Sequence, residues 1–208
     1  MSIPWPPATI RGRKLTVYSA LARRSPVWNH VLGHALGDFN ALSKKHGLGI
    51  QLKPADRPPK EGGGADIAIN TGDGKVSVSF PGADPETNTF DGKRMHGSTL
   101  LLSRRGVMLK AFIFLPAQPQ VNTPGGLRLV GSKVLTLIAV HELIHACGLE
   151  NGDHGTAGVF QPTPFVAPGD TAVGDMPRVK PTVDRYMPPY ELDEATVTAL
   201  KSIWTVDA

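Results

Sequence analysis

His141-Glu142-Leu143-Ile144-His145 is the stretch of this chain best equipped for chemistry. On a helix, residues four apart stand one above the other on the same face, so both imidazoles can reach a single metal ion. Neutral imidazole suits zinc, and Glu142 sits beside the first histidine, where its carboxylate can act on a water at the metal without being a ligand. Zinc with an open position lowers the pKa of such a water from about 15.7 to near 7, leaving Glu142 to take the proton while the ion polarises a carbonyl. The preceding run, Val134 to Val140, is almost wholly apolar, as in a helix buried in a core. Gly148 is placed to end that helix, because glycine accepts the left-handed conformation of a helix exit. An exposed polar face on an ordinary helix is the plain alternative, and it sits poorly in a segment apolar on nearly every other side.

His141 through Gly148, H-E-x-x-H-x-x-G, resembles the signature of the metzincin metallopeptidases. A second block is similar to the methionine turn and closing helix of the matrixin-like members: Tyr186-Met187-Pro188-Pro189-Tyr190, then Glu191-Leu192-Asp193-Glu194 and an apolar-periodic tail to Ile203-Trp204. The likeness is specific over about the last third of the chain. It implies a zinc-dependent endopeptidase acting on a peptide or protein substrate, with His141 and His145 as ligands and Glu142 as general base. It also implies Met187 as an apolar floor beneath the metal histidines, with Met176 as a rival turn. Substrate would lie extended along an edge strand, for which Ser98, Thr99, Leu100 and Leu101 are the candidates. The family's usual third-ligand position holds Asn151, a poor ligand for this ion. Asp153 and His154 follow closely. His154 is the expected third ligand, since imidazole matches the other two and Gly152 lets the chain bulge back to the metal; Asp153 is the alternative. Tyr186 and Tyr190 flank the methionine as transition-state or pocket candidates, with packing as their plainer role.

The elements that must position these residues can be read from period and punctuation. Residues 1–14, proline-rich then basic, read as an extended arm, and 15–208 as one domain. Within it, 15–148 form an upper subdomain with the zinc helix at 132–147, and 149–208 a lower one. Leu15 to Tyr18 reads as a strand. Ser25-Pro26 predicts a helix start, with Trp28, Val31, Leu32, Ala35, Phe39 and Leu42 as its apolar stripe and Gly47 as its end. Ile50 with Leu52, Ala65 to Ile69 and Val76 to Phe80 read as further strands, with 81–97 as a loop. Ser98–Leu102 and Val107–Leu115 predict a hairpin around Arg104-Arg105-Gly106. The fold class expected is α+β: a twisted, mostly parallel sheet with an antiparallel edge strand, two main helices, and an irregular C-terminal part closed by a helix. Residues 149–185 show no period.

The chain has 208 residues, enough for a sizeable core, with 23 glycines and 19 prolines making about a fifth of it. That share exceeds the usual ~12% and predicts long ordered loops. One cysteine, Cys147, excludes an internal disulfide framework and reads as a buried small residue. The net charge of +4 is uneven, with ten Lys/Arg against two acids in residues 1–60. Those charges are scattered without interleaved aromatics, so a solvated face is expected and no nucleic-acid partner. No segment suits a membrane span and the N-terminus lacks an apolar signal core, so export through a signal peptide is unsupported; the location stays open between the cytoplasm and release by a non-signal route. His30, His34 and Asp38 share a helix face, read as solvent-facing. His96-Gly97 has no partners for a structural zinc. Asp73, Asp91 and Asp170 in glycine-rich loops could suit calcium, but their spacing fits no EF-hand. Two other functions fit the same residues: a gluzincin-type hydrolase with Glu191 or Glu194 as third ligand, and a non-catalytic protein that keeps zinc for stability.

Overall fold

The computed structural model describes residues 2–93, 96–123, 126–160 and 190–205. The chain is α+β. Five strands, β1 (Lys14–Tyr18), β2 (Gln51–Pro54), β3 (Ile67–Gly72), β6 (Ser98–Arg104) and β7 (Val107–Pro116), form one sheet in the order β2-β1-β3-β7-β6. All pairs are parallel except β6 with β7. The β6–β7 turn is tight because Arg105 and Gly106 both take positive φ, as the favoured two-residue hairpin turn requires. Helices α2 (Leu32–Lys45) and α3 (Ser132–His145) cover one face, where Leu15, Val17, Ile67, Ile69, Ala111 and Ile113 meet them in the main core. A shorter helix, α1 (Pro7–Gly12), precedes β1, and α4 (Glu194–Ile203) follows the undescribed stretch. Among the described residues no helix is long and apolar enough to cross a membrane.

Three expectations need correction. Residues 76–80 do not join the main sheet: β4 (Gly74–Val78) pairs with β5 (Glu86–Phe90), which lies within the stretch expected to be loop. That hairpin carries Val76, Val78 and Phe80 onto Leu100, Leu102 and Phe114, covering the other face of β6 and β7. A second hairpin, β8 (Gln120–Thr123) with β9 (Gly126–Leu129), leads into α3. The helix expected from Ser25 begins at Leu32. Before it, Ser25 closes a turn (Asn29 N–H to its carbonyl, 3.0 Å), and Trp28 is buried with its indole N–H on Pro116 O at 2.8 Å. Pinning that ring to the end of β7 holds the segment as a turn. The predicted stripe of Val31, Leu32, Ala35, Phe39 and Leu42 is buried as expected.

The third correction concerns the arm. Residues 2–12 fold back onto the molecule instead of extending from it: Trp5 is 2% exposed, Met108 N–H donates to Pro4 O at 2.8 Å, and Pro7 opens α1, whose Ile10 is buried. The partner of this segment is the exit of α3. A helix leaves its last carbonyls without intrahelical donors, and here each carbonyl just past α3 has one supplied from elsewhere. Trp5 Nε1 donates to Ala146 O (3.1 Å), Trp204 Nε1 to Cys147 O (3.0 Å), and Ile3 N–H to Gly148 O (3.0 Å). Gly148, at φ +107°, makes the turn, and a side chain there would strike Ile3 O. Trp5→Phe or Trp204→Phe keeps most of the buried ring and removes the N–H, stranding a buried carbonyl. Each should cost about 1–3 kcal/mol in denaturant unfolding, a fall of several degrees in melting temperature. Wild-type stability in both variants would contradict this account of the helix exit.

Candidate metal centre

The last turn of α3 sets His141 and His145 together, their Nε2 atoms 3.1 Å apart and ring centres 4.8 Å apart. The other ring nitrogen of each faces a backbone carbonyl: His141 Nδ1 lies 3.1 Å from Val159 O, and His145 Nδ1 2.7 Å from Leu149 O. A carbonyl only accepts, so Nδ1 carries the proton in both rings and both Nε2 atoms are bare. Bare nitrogens at 3.1 Å repel one another, and a cation between them removes the conflict. A proton fills that place poorly, because burial holds both imidazoles far below their ordinary range, at about 4, more than the neighbouring carbonyls and Glu142 raise them. The pair is suited to a metal ion.

His154 completes a triangle of rings, 5.1 Å from His145 and 6.0 Å from His141 between centres. Three imidazoles on one tetrahedral zinc, with Zn–N of about 2.0–2.1 Å, place ring centres about 5 Å apart. His154 Nδ1 also meets a carbonyl, Gly155 O at 2.6 Å, which leaves its Nε2 as the acceptor. Among the described residues no three His, Cys, Asp or Glu side chains stand as a finished ligand cage. His141 and His145 are the tight pair, and His154 is the third ring beside them. Asp153 Oδ2 accepts from Ser2 Oγ at 3.1 Å, and Asn151 is exposed on the rim of the cleft.

The loop bearing His154 is held by the C-terminal helix. Asp193 caps α4 through Thr196 N–H (2.8 Å) and accepts from Ala157 N–H (3.3 Å), while Gly155 N–H donates to Thr196 Oγ1 (3.1 Å). Burial opposes ionisation of Asp193, but the hydrogen bonds from Thr196 and Ala157 outweigh it and hold the carboxyl below its usual range. Val159 N–H donates to Glu191 O at 3.1 Å. The same loop delivers Phe160, whose ring stacks on His154 (3.8 Å, 18°) and lies 4.6 Å and 5.4 Å from His141 and His145. It is an apolar floor touching all three histidines. Sequence reasoning assigned that role to Met187, which lies outside the described residues, as do Tyr186, Met176 and Asp170.

Glu142 is 3% exposed and reaches out toward β6. Thr99 Oγ1 donates to its Oε2 at 2.7 Å, and Gly97 passes close against the carboxylate, where a Cβ would stand 3.0 Å from Oε1. Burial raises its pKa, with His145 and the Thr99 hydrogen bond opposing the shift. A cleft of about 750 Å³ runs past the three histidines and Glu142 and along β6 from Ser98 to Leu101 and Ser103. β6 is the terminal strand of the sheet, so the strand named from the sequence as a substrate edge borders the site.

Other sequence candidates lie elsewhere. Tyr190 donates to Lys133 O (3.2 Å), at the opposite end of α3 and about 12 Å along the helix from His141. It packs against the core. Glu191 pairs with Lys45 at 2.6 Å, both more than half exposed. His30 and His34 face solvent, and Asp73 and Asp91 cap backbone N–H groups of Gly92 and Lys93. Cys147 is buried, which pushes its thiol pKa up.

No protein-family model matches the chain, and no curated protein matches it.

Protonation gives a direct check on the buried pair. Folded pKa values of about 4 lie below the ordinary 6.5, so below pH 6.5 the unfolded chain binds protons that the folded chain refuses. The metal-free protein should therefore lose stability as pH falls from about 6.5 toward about 4, and His145→Gln should flatten that slope. An equal slope in both proteins would contradict a buried, neutral pair.

Proposed function

We propose that this chain is a zinc-dependent endopeptidase of metzincin-like design. The observation that carries the reading is the pair of bare, buried Nε2 atoms of His141 and His145, with His154 as a third imidazole and Glu142 beside them at the head of a cleft. The donor set fits zinc: three imidazoles, each with a carbonyl on the far nitrogen, and room for a fourth ligand from the cleft. Zinc bound there supplies Lewis acidity, acidifying a water and polarising a carbonyl.

The chain's own residues do the rest. A substrate backbone adds to the edge of β6, where main-chain hydrogen bonds hold it extended across the histidines. Glu142 accepts a proton from the attacking water and delivers it to the leaving amine. Its burial favours the neutral form and so makes it a stronger base than an exposed carboxylate. Thr99 occupies part of the carboxylate's capacity of about four acceptor sites, leaving lone pairs for the water. Phe160 excludes solvent beneath the rings.

A zinc-stabilised protein without catalysis would have no use for a buried, oriented carboxylate beside the ligands, since burying an acid is costly even when one donor reaches it. Ligation by Glu191 in the manner of a gluzincin is disfavoured by its exposed pairing with Lys45.

Glu142→Ala should bind zinc at wild-type stoichiometry and lose cleavage of a peptide library by about 10²–10⁴-fold. Equal cleavage by variant and wild type at matched zinc loading would refute the mechanism, and loss of zinc would show that Glu142 is a ligand.

A further inference from the structure

We propose that Thr99 is a positioning residue for Glu142, so that one strand both receives substrate and aims the base. The inference rests on the peptidase reading for its catalytic half and on geometry alone for its structural half. β6 alternates: Ser98, Leu100 and Leu102 are buried on one side, while Thr99 turns toward α3. Thr99 Oγ1 has a single proton and two acceptors in reach, Glu142 Oε2 at 2.7 Å and Glu142 O at 3.2 Å. The shorter, charged acceptor takes it, since hydrogen bonds to carboxylates are roughly twice as strong as neutral ones. A β-branched side chain on a strand is stiff about χ1, so the hydroxyl is held in place.

Gly97, just before the first residue of β6, gives the second grip by close approach. A Cβ at Gly97 would stand 2.7 Å from Glu142 Cγ and 2.9 Å from Cδ. Only glycine lets the chain pass this closely. A donor at Thr99 and a close wall at Gly97 thus fix the carboxylate of a base whose own stem is fixed by α3. The edge of β6 lines the cleft over the same residues, so a backbone docked there is in register with the base.

Two measurements test this. In metal-free protein, Thr99→Val should lower the melting temperature, and that loss should be at least halved in a Glu142→Ala background; an equal loss in both overturns the contact. In zinc-loaded protein, Thr99→Val should keep its zinc and its KM within about twofold while kcat falls about 10- to 100-fold, with Thr99→Ser restoring most of it. An unchanged kcat, or a loss that Thr99→Ser fails to restore, overturns the positioning role and leaves the peptidase reading intact. Thermal coupling in a wild type that cleaves no peptide would support Thr99's hold on Glu142 and sink the peptidase reading instead.

Discussion

Four carbonyls in a row, Ala146 to Leu149, govern this molecule. They follow the helix that carries His141 and His145, the proposed metal ligands, and each takes a hydrogen bond from a different donor: Trp5 Nε1, Trp204 Nε1, Ile3 N–H and His145 Nδ1. An apolar helix can be buried only if the polar groups at its end are satisfied. Two of these donors come from near the start of the chain and one from near its end, so both ends close over one turn. The fourth donor is the site itself. The hydrogen bond that satisfies Leu149 O also sets the tautomer of His145, so folding and the geometry of the candidate site share an atom.

That arrangement explains how two histidines and a glutamate sit in a helix with almost no polar face. Buried polar groups are tolerated when each has a partner, and here Val159 O, Leu149 O and Thr99 Oγ1 provide them. What stays unbalanced is the Nε2 pair, aimed at one point with no proton to share. The remaining conflict is local, and the divalent ion proposed for this site would resolve it. Preorganisation of this kind would place most of the ordering cost in folding and little in binding.

Much of the site was legible in the sequence because its signals are local. The i, i+4 histidines, the apolar run before them and Gly148 all act within one helix and its exit. The β6–β7 hairpin was legible for the same reason, from two alternating runs around Arg105-Gly106. What escaped are pairings between distant segments. The proline-rich start looks like a solvated arm until Trp5 finds Ala146 O. Phe160 looks like any loop aromatic until its ring meets three histidines. Thr99 is legible as part of a substrate edge, but its hydroxyl and Gly97 meet Glu142 only once α3 lies across β6. Asp193 and Thr196 announce a helix cap, but nothing local tells that the same cap holds the His154 loop. Trp28 misled in the other direction: it fits the helical stripe, yet its indole N–H is worth more on Pro116 O.

X-ray absorption at the zinc edge tests the central claim most directly. With one zinc per chain, three imidazoles and one light-atom ligand should be found at about 2.0–2.1 Å. Two imidazoles with a protein carboxylate, a sulfur at about 2.3 Å, or zinc bound below one equivalent would contradict the His141–His145–His154 centre.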